Sequence, residues 1–263
     1  MTGLIETVRA PLFVPANRPE RFAKAAASGA DAVILDLEDA VADADKAAAR
    51  AKLRCDFTDL PVMVRINASA TSPHEADLAA VADLKPAAVI LPKAELPSEI
   101  EAVSRQTDVP VIALIESALG LANARAIAGV DGAVRLAFGS IDYCADLGCE
   151  HLRDILLPVR TELVLASRLA GIAAPIDGVT AQLDDPRISH DDARHARDLG
   201  MTGKLCIHPK QIDAVKRAFA PTPAEIDWAE RVLAAGDGAV SVDGAMVDAP
   251  VRIRARAILS RRD

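Results

Sequence analysis

The segment AVILDLEDAVADADKAAARAKL (residues 32–53) joins a short, mostly apolar run to an alanine-rich stretch. The apolar run does not alternate regularly with polar residues, as a strand with one face in water would. It is therefore typical of a parallel strand buried on both faces. The alanine-rich stretch is typical of a helix. Together they predict one strand–helix unit of an α/β protein.

The same strand–helix order recurs along the whole chain. Predicted strands occupy residues 10–14, 32–37, 61–66, 87–92, 110–116, 133–139, 174–179 and 204–208. A helical pattern follows each one, and several of these patterns begin at Ser, Asp or Pro and end at Gly, the usual limits of helices. Eight such units predict a TIM (β/α)₈ barrel, because closure of the sheet leaves no strand edge exposed.

The alternative is an open, doubly wound sheet. That fold would need a glycine-rich phosphate turn after the first strand, whereas the segment PANRPERF (15–22) contains no glycine. We therefore expect a (β/α)₈ barrel catalytic domain at 1–220 and a short C-terminal helical extension at 221–263, which packs on the barrel or on a neighbouring subunit. The extension contains, in order, a helical pattern, a segment rich in Gly and Asp, and a basic helix (222–236, 237–251 and 252–262).

The composition of the 263-residue chain limits its partners. The chain is 51% hydrophobic, with a mean hydropathy of +0.19 and a formal net charge of −8. These values are typical of a folded protein and disfavour nucleic acid as a partner. No signal peptide or membrane-spanning run is evident, so we expect a cytoplasmic protein without a membrane partner. The cysteines lack CxxC spacing, which disfavours a zinc site or a disulfide framework; they are Cys55, Cys144, Cys149 and Cys206.

In a TIM barrel the active site lies at the C-terminal ends of the strands. The polar residues that end the predicted strands are Asp36, Glu38, Asp39, Arg65, Asn67, Lys93, Glu116, Ser117, Ser140, Asp142 and His208. Buried carboxylates are costly without cations, so this acidic rim indicates a bound divalent cation. Because oxygen ligands predominate, Mg²⁺ (or Mn²⁺) is favoured over zinc.

Structural roles are the alternative at several of these positions. Asp39 is also suited to cap the helix that follows it, and Glu116 to form a structural ion pair. Arg65 is suited to neutralise a neighbouring carboxylate, and the role of Lys93 is open. His208 is expected to begin the eighth helix without a chemical role.

Several segments carry a family resemblance. They are FVPANRPERFAKA (13–25), GADAVILDLEDAV (29–41), VRIN (64–67), LPKAE (91–95), IALIESALGL (112–121), FGSIDYCADLG (138–148) and GKLCIHPKQI (203–212). In these motifs the chain resembles the citrate lyase beta-subunit-like proteins, which belong with malyl-CoA and citramalyl-CoA lyases to the phosphoenolpyruvate/pyruvate barrel superfamily. The similarity runs from about Arg9 to about Phe219 and reappears in AMVDAPV (245–251).

The resemblance implies roles for residues of the rim. Glu116 and Asp142 would be the Mg²⁺ ligands, and Arg65 would contact a carbonyl or carboxylate oxygen of the substrate. Asp36 and Glu38 would hold the waters of the metal and orient Arg65.

The resemblance also implies a CoA thioester substrate and a homo-oligomer, commonly a trimer. Asp248 would be the acid/base that one subunit lends to its neighbour, and Arg18, Arg21 and Lys24 would bind the phosphates of CoA. One departure is Ala16, where relatives often have Gly; it weakens the CoA assignment more than the metal assignment.

The implied activity is that of a Mg²⁺-dependent carbon–carbon lyase. It would cleave a small β-hydroxyacyl-CoA thioester, such as malyl-CoA, citramalyl-CoA or citryl-CoA, to a keto acid and an acyl-CoA. In the reverse direction it would form the thioester by condensing these two compounds. Three alternatives stay open: an aldolase acting on free 2-keto or hydroxy acids, an acyl-CoA thioesterase or malate-synthase-like enzyme, and a subunit of a lyase complex whose partner is an acyl-carrier protein.

Overall fold

A parallel barrel of eight strands forms the larger part of the molecule. The structure, a computed structural model, describes residues 5–236 and 240–262. Its strands are β1 (Pro11–Pro15), β2 (Ala32–Asp36), β3 (Val62–Arg65), β4 (Ala88–Leu91), β5 (Val111–Ile115), β6 (Ala133–Phe138), β7 (Ala173–Asp177) and β8 (Gly203–Lys204). Each strand pairs in parallel with the next one along the chain. The predicted (β/α)₈ barrel is confirmed.

Backbone hydrogen bonds join the last strand of the barrel to the first. Lys204 N donates to Arg9 O at 2.8 Å, Cys206 N donates to Pro11 O at 2.9 Å, and Phe13 N donates to Cys206 O at 2.9 Å. These bonds bring β8 and the residues after it against β1.

The eighth strand differs from the prediction in extent. It was expected at 204–208, but β8 is confined to Gly203–Lys204. The reason is local, because the side chain of Gln211 accepts from the backbone amides of Ile207 (3.0 Å) and His208 (3.2 Å). These amides are therefore used to start the next helix.

Each strand of the barrel is followed by one or more helices. They are α1 (Phe22–Ala26), α2 (Lys46–Arg50), α3 (His74–Leu84), α4 (Pro97–Thr107), α5 (Ala118–Ala122), α6 (Ala124–Ala128), α7 (Ser140–Leu147), α8 (Arg153–Ala170), α9 (Pro186–Asp198) and α10 (Pro209–Phe219). Within residues 5–236 and 240–262, none of the helices combines the length and the apolar character needed to cross a membrane.

The single helical pattern expected after the fifth strand is two helices, α5 and α6. The break lies at Asn123, whose backbone leaves the helical region (φ −100°, ψ 3°). Its side-chain amide donates to Glu95 O at 2.8 Å. A tertiary hydrogen bond therefore accompanies the separation of α5 from α6.

Burial of the strands leaves only the barrel ends for polar groups. Strands β2 to β5 are buried at every position, as doubly covered parallel strands should be. Their apolar side chains form one cluster that includes Ile34, Met63, Ile90, Ile112 and Leu114.

Arg135 of β6 is fully buried near the N-terminal ends of the strands. Its guanidinium donates to Ile5 O (2.9 Å), Val8 O (2.8 Å), Ala174 O (2.7 Å) and Thr202 Oγ1 (2.8 Å). Burial lowers the pKa of Arg135 to about 9. This side chain ties the segment before β1 to the strands that close the barrel.

The chain divides into two compact units, Met1–Lys216 and Arg217–Asp263. The second unit contains α11 (Pro223–Ala234), β9 (Val240–Val242), β10 (Ala245–Val247) and α12 (Ala249–Leu259). It has an apolar core of its own, made of Ala229, Val232, Val247, Ala255 and Ile258. The assignment of 1–220 as the catalytic domain and of 221–263 as an extension that packs on the barrel or a neighbouring subunit stays a prediction.

The β9–β10 hairpin was not predicted from the segment rich in Gly and Asp, of which residues 237–239 lie outside the described residues. Its two-residue turn is Asp243–Gly244, with φ of 54° and 78°. Asp-Gly between β-branched runs is a strong signal for such a turn. That signal was available in the sequence.

We predict that Arg135→Met lowers the free energy of unfolding by at least about 2 kcal/mol, because the carbonyl oxygens of Ile5 and Val8 lose their donor and each costs about 1 kcal/mol or more. Urea denaturation followed by circular dichroism measures this. The matched control is Arg105→Met on the exposed face of α4, which should change stability by no more than about 0.5 kcal/mol. Equal denaturation midpoints for the two variants would contradict the role of Arg135.

Candidate active site

A cavity of about 430 Å³ opens at the C-terminal ends of the strands. Asp36 ends β2, Arg65 ends β3, Glu116 follows β5, and Asp142 lies in the first turn of α7; all four line this cavity. Polar residues that are far apart in the sequence therefore meet in one space.

The strongest interaction in the cavity is a two-point pair between Asp36 and Arg65. Arg65 Nε donates to Asp36 Oδ1 and Arg65 Nη2 donates to Asp36 Oδ2, both at 2.7 Å. The other lone pairs of Asp36 accept from the backbone amides of Glu38 (3.0 Å) and Ala40 (3.2 Å). The Arg65 guanidinium also lies 4.8 Å from the centroid of the Phe13 ring. The contacts with Asp36 and Phe13 together fix the orientation of the Arg65 guanidinium.

Further carboxylates surround the Arg65 guanidinium. Its Nη1 lies 3.0 Å from Glu38 Oε2 and donates to Asp39 Oδ2 at 3.2 Å. Burial alone would lower the pKa of Arg65, but the hydrogen bonds and charge of Asp36, with the charges of Glu38 and Asp39, raise it above its ordinary value. Arg65 is a permanent cation here.

Glu38 and Lys93 form a second pair, with Lys93 Nζ donating to Glu38 Oε1 at 3.1 Å. Burial raises the pKa of Glu38 in spite of the opposing charges of Arg65 and Lys93. Within the described part of the chain, Glu38 Oε2 accepts no hydrogen bond, although it faces Arg65. Its charge is only partly compensated.

Lys93 adopts a left-handed backbone conformation, with φ of 47°, which is uncommon for a residue with a side chain. In this conformation its backbone amide donates to Glu116 Oε1 at 2.8 Å, while its Nζ lies 3.9 Å from the same oxygen. Lys93 therefore orients the Glu116 carboxylate.

Glu116 is the most strongly perturbed carboxyl group of the rim. Burial raises its pKa to about 8, and the charges of Glu38 and Asp142 act in the same direction. Gly139, at the end of β6, packs directly against this carboxylate, where a side chain at 139 would collide with it.

The donor set fits a divalent cation held by two carboxylates. Among residues 5–236 and 240–262, no three His, Cys, Asp or Glu side chains form a complete metal site by themselves. Magnesium commonly takes only one or two protein carboxylates and completes its shell with water and substrate oxygens. Glu116 and Asp142 line one cavity, and Lys93 compensates the negative charge of Glu116 only in part.

A second cavity, of about 420 Å³, lies beside the first. Arg21, Lys24 and His208 line it. Arg18 does not; its Nε donates to Glu20 Oε1 at 2.6 Å, and both side chains are exposed. The two cavities have lining residues in common, namely Phe13, Pro15 and Ile207.

Asp248, the predicted acid/base, lies in the C-terminal unit. It is half-buried and caps α12, where its Oδ1 accepts from Val251 N at 3.2 Å. Its catalytic role stays a prediction.

Other polar residues at the strand ends have structural partners. Asn67 accepts from Lys46 Nζ and donates to Asp77 Oδ2, both at 2.6 Å. Ser117 caps α5 by accepting from Gly120 N at 3.1 Å.

Two polar groupings were missed in the sequence. Ser140, which lines the first cavity, lies 2.9 Å from His151 Nε2 through its Oγ. Asp177, at the end of β7, accepts from Arg160 Nε and Lys204 Nζ, both at 2.8 Å. An Asp that ends an apolar run, as Asp36 does, was the signal for the second grouping.

A barrel with carboxylates, an arginine and a lysine around a cavity at its C-terminal rim has the architecture of a barrel enzyme, and the family comparisons place it in the lyase class. Residues 9–209 match the HpcH/HpaI aldolase/citrate lyase family, and the chain belongs to this family. The predicted resemblance is thereby confirmed.

Individual relatives match nearly the full chain. A citrate lyase subunit beta-like protein of Mycobacterium tuberculosis is 41% identical over 95% of this chain and 94% of its own. A (3S)-malyl-CoA thioesterase of Cereibacter sphaeroides is 34% identical over 97% of this chain and 94% of its own. The crystal structure of CitE from M. tuberculosis with magnesium, acetoacetate and coenzyme A has a TM-score of 0.89 at 40% identity, covering 98% of this chain and 99% of that one.

We predict that Glu116 makes the metal-free protein less stable as the pH rises. Because its pKa is raised from 4.5 to about 8, the folded state binds more protons than the unfolded state between these values. Stability is therefore lost across this interval, with a slope of up to about 1.4 kcal/mol per pH unit.

The measurement is urea denaturation in EDTA across that pH interval. Glu116→Gln should gain stability relative to the wild type as the pH rises, whereas Glu101→Gln, at an exposed position of α4, should run parallel to the wild type. A Glu116→Gln curve parallel to the wild type would show that burial does not hold the proton on Glu116.

Proposed function

We propose that the protein is a Mg²⁺-dependent carbon–carbon lyase acting on a small β-hydroxyacyl-CoA thioester, such as malyl-CoA, citramalyl-CoA or citryl-CoA. The products are a keto acid and an acyl-CoA, and the reverse reaction is a condensation. The observation that carries the proposal is the fixed Arg65 guanidinium in the same cavity as Glu116 and Asp142. Relatives named for citrate lyase and for a malyl-CoA thioesterase support the substrate class.

Glu116 and Asp142 would hold the metal, and Glu38 would orient its waters. Bound there, Mg²⁺ supplies Lewis acidity toward the hydroxyl and carboxylate oxygens of the substrate. Magnesium is present in the related CitE structure. Lys93 is a cation close to this site, with its Nζ 3.9 Å from Glu116 Oε1.

Arg65 would stabilise the negative charge that develops on the thioester oxygen when the Cα–Cβ bond breaks. A donor that is already fixed needs no reorganisation during the reaction, which is the main advantage of such sites. Asp36 would fix Arg65 in advance, because it accepts hydrogen bonds from the Nε and Nη2 groups of Arg65. The role of Asp36 is therefore to position Arg65.

The second cavity would take the CoA portion of the substrate. Arg21 and Lys24 line it and are suited to bind phosphate oxygens. Arg18 would join them only after exchange of its Glu20 partner. Because the two cavities share lining residues, the thioester group would lie in the first cavity while the rest of CoA occupies the second.

Asp248 would accept the hydroxyl proton in cleavage and return it in condensation. We propose that it is lent by an adjacent subunit of a homo-oligomer, with a trimer as the expected form, and that the enzyme acts in the cytoplasm. Transfer from an acyl-carrier protein instead of CoA would leave the roles of the rim residues unchanged.

We predict that Glu116→Gln and Asp142→Asn each weaken Mg²⁺ binding at least about tenfold, since loss of a ligand exceeds the tenfold or larger effect typical of supporting residues. Calorimetric titration of the purified protein with MgCl₂ measures this, and Glu101→Gln is the control. Unchanged affinity in both rim variants would refute the metal assignment.

The reaction type is tested with malyl-CoA in the presence of Mg²⁺ and in EDTA. Metal-dependent formation of a keto acid together with acetyl-CoA supports the lyase. Release of free CoA thiol without a keto acid indicates a thioesterase. Turnover of free hydroxy acids, with no response to CoA thioesters, would indicate an aldolase.

We predict that Asp248→Asn loses turnover but keeps the Mg²⁺ affinity of the wild type. If the group is lent between subunits, co-expression of Asp248→Asn with Glu116→Gln should restore part of the activity, because mixed oligomers contain some intact sites. Each variant expressed alone is the control. Absence of any recovery in verified mixed oligomers would contradict sharing of the site.

A further inference from the structure

Two cysteines meet at the C-terminal end of α7, and the proposed reaction uses neither. The helix ends at Gly148, which has a left-handed backbone with φ of 66°. Gly148 N donates to Cys144 O, and Cys149 N donates to the same oxygen at 3.1 Å. This helix ending folds the residue after the glycine back over the last turn, where its side chain meets that of the residue five positions earlier.

The side chains of Cys144 and Cys149 are hydrogen-bonded to each other. Cys144 is buried, whereas Cys149 is half-buried. The pair therefore offers one thiol to small molecules in solution and keeps the other directly behind it.

The other two cysteines do not belong to this pair. Cys55 is half-buried like Cys149, but it lies in the segment after α2 and not at the end of α7. Cys206 is fully buried beside β1, where it takes part in barrel closure. A disulfide requires Cα atoms about 4.4–6.8 Å apart, and the hydrogen bond from Cys149 N to Cys144 O at 3.1 Å brings the two backbones together.

We propose that Cys144 and Cys149 are a modification site: they form a reversible intramolecular disulfide by exchange with a low-molecular-weight disulfide such as glutathione disulfide. Cys149 attacks one sulfur of the reagent, forms a mixed disulfide and releases one glutathione thiolate. Cys144 then attacks the Cys149 sulfur, breaks the mixed disulfide and releases the second thiolate. The two protein thiols are oxidised and give up their protons, and the reagent is reduced to two thiols.

The bond would fasten a segment that borders the active-site cavity. The first turn of α7 contains Ser140 and Asp142, which line the cavity. The segment after Cys149 carries His151, whose Nε2 lies 2.9 Å from Ser140 Oγ. The disulfide would join the last turn of α7 to this segment. The proposal stands independently of the metal and the substrate.

The test is incubation of the full chain with glutathione disulfide, followed by alkylation of the remaining thiols and mass spectrometry of the intact protein and its peptides. The wild type should lose two alkylatable thiols, both at 144 and 149, and should regain them with dithiothreitol. Cys144→Ser should instead accumulate glutathione on Cys149, because the second thiol is missing.

Cys55→Ser is the matched control and should form the internal disulfide as the wild type does. Circular dichroism establishes that each variant is folded. Stable glutathionylation of Cys149 in the wild type would overturn the proposal. Full alkylation of both cysteines under conditions that oxidise Cys55 would do the same. Both of these readouts use the unaltered chain and do not depend on the folding of a variant.

Discussion

Every strand of a closed parallel barrel needs a hydrogen-bonded neighbour on each side, and β8 meets this requirement with two residues. Three backbone hydrogen bonds, from Lys204, Cys206 and Phe13, complete the contact with β1 and with Arg9 just before it. The chain then turns away at Ile207, whose amide donates to Gln211 Oε1 ahead of α10. Ile207, with Phe13 and Pro15, then forms the wall shared by the two cavities. The residues on both sides of the short closing contact therefore belong to both cavities.

The electrostatics of the rim depend on how the Arg65 guanidinium is divided among the neighbouring carboxylates. Asp36 engages the Arg65 guanidinium at two points, whereas Glu38 meets only its remaining edge. Glu116 receives a backbone amide and a more distant ammonium group from Lys93. Desolvation therefore outweighs attraction at Glu38 and Glu116, and both pKa values rise. A bound divalent cation would add positive charge beside these carboxylates and so stabilise their ionised form. A further buried ion pair would do this less well, because its own charges would also have to be desolvated.

The two ends of the barrel use buried arginine in opposite ways. At the N-terminal end, Arg135 donates to carbonyl and hydroxyl oxygens, and burial lowers its pKa. At the C-terminal end, Arg65 is held by carboxylates, which raise its pKa. The first arrangement connects segments of backbone and supports stability. The second directs a charged group into a cavity, in keeping with the general division of TIM barrels into a stabilising face and a reactive face.

The order of apolar runs and helix signals predicts the barrel correctly, because few topologies suit alternating helices and doubly buried strands. It also predicts that Asp36, Arg65, Glu116 and Asp142 share one cavity, since the barrel brings strand ends together. It does not predict the helix break at Asn123, whose partner is 28 residues away, or the role of Arg135, which reaches a carbonyl 130 residues away. The sequence by itself determined which polar residues end the strands. Only the tertiary structure decided their partners and the raised pKa of Glu116, because pairing and desolvation arise from groups that are distant along the chain.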